Sequence, residues 1–201
     1  MQLLLIRHGQ TDVNAEHRYL GALDPELNAF GVAQAVALNG VLPADLAAVV
    51  CSPLRRARQT ADLLCLGRAC SPVVHAAFRE RNVGIFEGLT QTEARQQFPA
   101  LWAQNVTRTW DAAPPGGETI QAVVDRVHHG LRELYAAYAG QQIALVAHGF
   151  VAKVVRAVSH AGFEDFFDWQ LGNGAVYQLA WMGLDVPPVG SADYTYFDSK
   201  K

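Results

Sequence analysis

Four separated stretches of the chain carry side chains that belong together chemically: Arg7 with His8, Arg56, Glu80, and His148. Two histidines, two arginines and a carboxylic acid suit phosphoryl transfer through a histidine. A neutral imidazole nitrogen is already a nucleophile near pH 7 and needs no base to remove a proton. It does need its other nitrogen held as a donor, usually by a carbonyl, and the phosphorus placed in line. A phosphate brings about two negative charges. Fixed cations must hold it, and Arg7 and Arg56 can each grip it with a planar fork. At ~4 Å and an effective dielectric near 20, one unit-charge contact is worth roughly 4 kcal/mol before desolvation. His148 can add a donor to the equatorial oxygens as charge shifts in the transition state. The leaving oxygen then needs a proton, and Glu80 is the carboxyl source, because a neighbouring dianion favours keeping a proton on a carboxyl group.

These residues can meet only if the fold brings their segments to one place. Leu3-Leu4-Leu5-Ile6 is a short continuous apolar run, as expected of a strand buried on both faces, and Leu46–Val50 and Ile143–Ala147 have the same character. Pro72–Ala76 is a weaker strand candidate, and Ala175–Trp181 reads as a last strand. Helices are expected between them: about 29–41 capped by Asn28, about 53–66 opened by Ser52 as N-cap and Pro53, and about 91–98 opened by the capping box Thr90-Gln91-Thr92-Glu93. The longest, about 119–139, carries Ile120, Val123, Val124, Val127, Leu131 and Leu134 on one face and ends at Gly140; another runs over about 150–160 before Gly162. Alternating strands and helices predict an α/β three-layer sandwich, with a mostly parallel central sheet and helices on both faces. In such sheets ligands bind beyond the carboxyl ends of the strands. Arg7-His8-Gly9, Ser52–Arg56, Glu80 and His148-Gly149 all follow a strand.

At these residues the sequence resembles a known family, the phosphoglycerate-mutase-like branch of the histidine phosphatase superfamily. The resemblance rests on Leu5-Ile6-Arg7-His8-Gly9-Gln10-Thr11 with Asn14, on Arg18-Tyr19-Leu20-Gly21, and on Ser52-Pro53-Leu54-Arg55-Arg56-Ala57-Arg58-Gln59-Thr60-Ala61. It continues through Glu80 to Glu87-Gly88, Pro115-Gly116-Gly117-Glu118-Thr119 and Val146-Ala147-His148-Gly149, in the family's order over about residues 1–181. It implies His8 as the phosphorylated nucleophile, with Arg7, Arg56 and His148 around the phosphate. Glu80 becomes the acid and then the base that activates water. Asn14 assists on the phosphate oxygens, and Gly9, Thr11 and Gly21 join the substrate site. No metal and no cofactor is implied. Asp24-Pro25-Glu26-Leu27-Asn28, Phe86 and Phe150 depart from the family pattern, which bears on substrate identity and not on the reaction.

Other candidates have plainer readings. Glu93 is a capping-box partner, Glu87 is a competing carboxylate, and Arg55 and Arg58 project from a helix as surface charges. Arg79 and Arg81 flank the acid and can bind a second anionic group. His128 and His129 read as solvated or half-buried, and His17, His75 and His160 have no evident partner. The chain of 201 residues is 50% hydrophobic with a net charge of −3, which excludes a disordered chain and a binder of nucleic acid held by a global basic field. Its basic side chains are 13 arginines and three lysines, a bias that suits bidentate anion recognition and equally follows from codon usage. Cys51, Cys65 and Cys70 lack metal-like spacing and read as reduced thiols. No stretch approaches the ~20 apolar residues of a membrane span. The expectation is a cytoplasmic protein of one domain over residues 1–182, with a docked or partly disordered tail over 183–201, as a monomer or homodimer.

Between hydrolysis and transfer, the resemblance implies hydrolysis, because mutases of that family usually carry a lid-forming insertion where this chain has a short connection. Trp110-Asp111-Ala112-Ala113-Pro114-Pro115 runs almost directly into Gly116-Gly117-Glu118, leaving little room for a lid that excludes water. The expectation is therefore a phosphomonoester hydrolase acting on a small phosphorylated metabolite, with a phosphoglycerate mutase as runner-up. A metal site on His8, Glu80 and His148 fits by ligand type, but the two arginines oppose a cation. A catalytically silent module that binds phosphorylated ligands has no need of both nucleophile and acid.

Overall fold

Leu3–Ile6 forms the middle of the interior strand β1 (Gln2–Arg7), and its four apolar side chains alternate between two cores. The computed structural model describes residues 1–183; residues 184–201, with Tyr194, Tyr196 and Phe197 of the expected tail, lie outside the described residues. After β1 the chain runs through a single turn α1 (Asp12–Ala15), α2 (Ala29–Asn39), β2 (Ala48–Cys51), α3 (Arg55–Cys65) and β3 (Val73–Val74). It continues through α4 (Gln91–Gln97), α5 (Pro99–Ala103), α6 (Ile120–Tyr138), β4 (Gln142–Ala147), α7 (Gly149–Arg156) and β5 (Val176–Ala180). The sheet order is β3-β2-β4-β1-β5, with β5 alone antiparallel, on β1.

Leu3 and Leu5 pack with Val50, Leu145 and the apolar stripe of α6 and α7, while Leu4 and Ile6 pack with Val49, Val146, α2 and α3. The expected three-layer α/β sandwich follows from that alternation. Along α6 the side chains of Ile120, Val123, Val124, Val127, Leu131 and Leu134 are buried, each worth about 1.5–3 kcal/mol of transfer free energy. Thr119 caps its first turn. A third, smaller cluster of Phe86, Ala94 and Val106, with Tyr19, Phe98 and Trp102 against it, roofs one side of the site. Among the described residues no helix is long and apolar enough to cross a membrane.

Two local expectations give way. The Pro72–Ala76 strand shrinks to Val73–Val74, because Ala76–Phe78 turns into a 3-10 helix capped by the His75 ring, which also pairs with Glu133 at 3.0 Å. Ser52 is not the N-cap of α3. That helix starts at Arg55 after Leu54, without a side-chain cap; the serine hydroxyl accepts the Leu54 N–H, ahead of the helix, and meets His148 Nε2. At the site itself, the turn after β1 lies directly on α2. A Cβ on Gly9 would come within 2.3 Å of the Gly31 carbonyl oxygen, so two glycines are what let these backbones touch.

Candidate active site

β1 ends at Arg7 and delivers His8 to the carboxyl edge of the sheet, where its ring is buried. Its Nδ1 lies 2.7 Å from the Gly9 carbonyl, which can only accept, so Nδ1 carries the proton and Nε2 carries the lone pair. Burial, and next the positive charges of Arg56 and Arg7, hold the His8 imidazole well below its ordinary pKa, in the neutral form. Gly9 acts through its backbone: its N–H donates to Thr60 Oγ1 at 3.1 Å.

Arg56, on the first turn of α3, donates from Nε to His8 Nε2 at 3.2 Å, from Nη1 to the Leu23 carbonyl at 2.5 Å and from Nη2 to the Gly21 carbonyl at 3.1 Å. The guanidinium is thereby fixed in plane and fully buried beside His8. Gly21 has φ +53, and a Cβ there would meet the Glu87 carboxylate at 2.1 Å, so glycine is required for the carbonyl to turn toward Arg56. Glu87 accepts from the N–H groups of Ala22 and Val83, which makes it a brace between two loops of the site. Arg7 is anchored by Nη1 to the Leu171 carbonyl at 2.8 Å, and its buried Nε has no partner.

β4 delivers His148 on the neighbouring strand, with its ring centroid 5.1 Å from that of His8. His148 has no solvent exposure; its Nε2 is 2.6 Å from Ser52 Oγ, and its buried Nδ1 is unpartnered. Burial, then Arg56 and His8, lower its pKa well below the ordinary value. Ser52 was missed as a member of the site because Ser-Pro before a helix carries the same local signal as a cap.

Glu80 sits across the cavity on the 79–82 loop. Its Oε1 accepts from the Arg81 N–H at 2.9 Å and its Oε2 from the Phe150 N–H at 3.2 Å, in the first turn of α7. The loop is held from behind. Arg126 donates to the carbonyls of Ala77, Arg79 and Glu80, and Glu118 accepts from Arg126 Nε and the Asn82 N–H. Arg79 turns away to Glu118, 3.7 Å distant, whereas Arg81 is buried with Nε on the Glu118 carbonyl and Nη1 on the Thr107 carbonyl. Burial lowers the Arg81 pKa to about 10.

Arg7, His8, Asn14, Gly21, Arg56, Glu80 and Arg81 line one cavity of about 350 Å³, within the size of small-molecule sites. His148 lies directly behind His8 and does not itself line it. Gly9 and Thr11, expected in the substrate site, do not line it either: Thr11 is the N-cap of α1, and its hydroxyl meets Asn14 Oδ1 at 3.1 Å. Asn14 Oδ1 also accepts from Asn173. Tyr19, Gln91, Arg108, Phe150, Lys153 and Leu171 complete much of the wall. None of these had a local sequence signal beyond its place in a block or a helix. Among the described residues no group of three or more His, Cys, Asp or Glu side chains is arranged to hold a metal ion.

Comparison with known proteins follows this geometry. The chain is 34% identical over 198 residues to a bifunctional protein of Mycobacterium tuberculosis, covering 96% of this chain and 50% of that protein, so it spans about half the length of that relative. It is 30% identical over 158 residues to a metal-independent phosphoserine phosphatase of Arabidopsis thaliana, covering 77% of this chain and 66% of that one. A mycobacterial glucosyl-3-phosphoglycerate phosphatase, solved as a complex with VO3, superposes with a TM-score of 0.79 at 33% identity, covering 89% of this chain and 92% of that one. The family model for the histidine phosphatase superfamily (branch 1) matches residues 3–185, a span that includes every segment contributing to the cavity, and the chain belongs to that family.

Proposed function

We propose that the chain hydrolyses phosphate monoesters of small metabolites in two steps, through a phosphoryl group carried on His8 Nε2. The observation that carries this reading is the 2.7 Å contact of His8 Nδ1 with the Gly9 carbonyl, which commits the proton to Nδ1 and leaves Nε2 as the nucleophile between Arg7 and Arg56. In the first step the Nε2 lone pair attacks phosphorus, the ester P–O bond breaks, and the Glu80 carboxyl gives its proton to the leaving oxygen. In the second, the Glu80 carboxylate takes a proton from water as that oxygen attacks phosphorus, and the P–N electrons return to Nε2. Arg7 and Arg56 hold the equatorial oxygens. A Ser52 hydroxyl that donates to His148 Nε2 leaves the proton on Nδ1, and this neutral ring packs against His8 with 5.1 Å between the centroids.

Two further points support hydrolysis on small esters. The connection between Trp110 and Ile120 is short, with Thr107 and Arg108 at the cavity wall and, among the described residues, no inserted lid in that connection. Two relatives are described as phosphatases of phosphoserine and of glucosyl-3-phosphoglycerate, both small phosphate esters. Rapid quench with p-nitrophenyl phosphate should trap an acid-labile, base-stable phosphoryl group, as a phosphoramidate requires. Turnover should persist in excess chelator. An acid-stable phosphoester, or full activity in His8→Ala, overturns the reading.

A further inference from the structure

The cavity carries more positive charge than one phosphate can use. Six cationic side chains line it, Arg7, Arg18, Arg56, Arg81, Arg108 and Lys153, against one carboxylate, Glu80. Arg18 is paired with Glu16 and Glu93, and Arg7 and Arg56 flank His8. Arg81, Arg108 and Lys153 remain, and they come from three segments of the chain.

The three are tied to one another. Lys153 Nζ donates to the Phe167 carbonyl at 3.1 Å, and the Arg108 guanidinium lies 5.2 Å from the centroid of the Phe167 ring. Arg81 donates to the carbonyl of Thr107, the neighbour of Arg108, and lies 5.0 Å from the centroid of the Phe150 ring. Arg81 is 2% exposed, and its Nη2 is buried with no partner. Among the described residues neither Arg108 nor Lys153 forms an ion pair. Burial lowers the Lys153 pKa, and Arg108 is the next largest cause, so these cations sit close enough to repel. Asp168 and Asp165 oppose that shift, while Arg7 adds to it. Two cations close enough to repel, Arg108 and Lys153, and a buried, unpartnered guanidinium nitrogen on Arg81 in the same cavity wall are arranged to be neutralised from outside the protein.

We propose that Arg81, Arg108 and Lys153 form a second anion subsite, so that the substrate is a phosphate monoester whose alcohol part bears a further oxyanion. This rests on the phosphatase reading of the same cavity and adds the substrate class to it. A carboxylate and a second phosphoryl group share the required chemistry. Lys153 is the specificity determinant, a point charge on the second turn of α7, five residues beyond His148.

The test compares three esters on the same carbon skeleton: 3-phosphoglycerate with a carboxylate, 1,3-propanediol bisphosphate with a second phosphate, and glycerol 3-phosphate with neither. The expected kcat/KM is about 10-fold or more higher for at least one acid-bearing ester than for glycerol 3-phosphate, the scale of one charge-assisted hydrogen bond. The larger preference tells which oxyanion is bound. In Lys153→Met that ratio should fall about 10-fold, and in Lys153→Arg it should largely return. Arg108→Gln, on a loop, serves as the second variant if Lys153→Met does not fold. Calorimetric binding of the same esters to His8→Ala reads the subsite without turnover, so it decides the point even if the wild type hydrolyses none of them. Equal binding of acid-bearing and neutral esters, or a ratio unmoved by both substitutions, overturns the subsite.

Discussion

Ser52 Oγ and His148 Nε2 lie 2.6 Å apart across 96 residues of sequence, and neither residue is reached by solvent. The serine also accepts the Leu54 N–H at 3.3 Å, so it joins the start of the segment carrying Arg56 to the end of β4. One hydroxyl thereby links the His148 ring to the start of the segment that carries Arg56.

Ser52→Ala should therefore lower kcat about 10- to 100-fold with little change in KM, since a buried ring nitrogen loses a bond worth roughly 1–3 kcal/mol. Steady-state kinetics with a thermal melt separates this from unfolding. A variant with unchanged kcat would remove Ser52 from the site.

Arg56→Lys should cost about 100-fold or more in kcat/KM, although the charge is kept. An ammonium cannot meet the carbonyls of Gly21 and Leu23 in one plane and still present donors to a phosphate. Near-normal kcat/KM in that variant would show that charge alone suffices.

The buried imidazoles give a pH dependence of fixed sign. His8 and His148 both have folded-state pKa values lowered by burial and by the arginines, so between those values and the ordinary ~6.5 the unfolded chain binds more protons. The stability they contribute is present above pH ~6.5 and is lost as the pH falls below it toward their folded values. The thermal midpoint should decline across that window, and the His8 ring nitrogens, followed by NMR in the free protein, should stay neutral well below pH 6.5. Titration of His8 at its ordinary value would contradict the arrangement described.

Glu80→Gln removes the proposed proton source and keeps the shape. Single-turnover phosphorylation of His8 should slow strongly for alkyl phosphates, whose alkoxides leave poorly, and less for p-nitrophenyl phosphate. Equal losses on both would mean that Glu80 is not the acid.

Arg126→Lys should loosen the loop that carries Glu80, because a lysine cannot reach the carbonyls of Ala77, Arg79 and Glu80 together while pairing with Glu118. A drop of several degrees in Tm and a kcat loss exceeding any change in KM are expected. An unchanged kcat would confine Arg126 to scaffolding.

The parts legible in sequence were those written over short distances. Arg7-His8-Gly9 and His148-Gly149 each follow an apolar run, so the strand ends and the histidines they deliver could be read together. Asn28, Thr90 and Glu93 cap as their spacing indicates. The illegible parts depend on partners far away in the chain. Ser52 looked like a cap because its partner, His148, follows β4, 96 residues away. His75 gained its partner from α6. Lys153 and Arg108 carry no motif at all, and only tertiary packing around Phe167 brings them to the cavity.

The strand order has a consequence for biosynthesis. β1 pairs on one side with β4, Gln2 opposite Gln142, and on the other with β5, Gln2 opposite Ala180. During translation β1 therefore leaves the ribosome with both edges unsatisfied, and at about 5–20 residues per second its first neighbour follows on the order of ten seconds later. For that interval Leu3–Ile6 is an apolar, β-prone stretch with open hydrogen-bonding edges, the kind of segment that holdase chaperones engage. A nascent chain stopped before residue 142 holds His8, Arg56 and Glu80 but has no strand to seat the first of them, so the cavity can form only after β4 has been made.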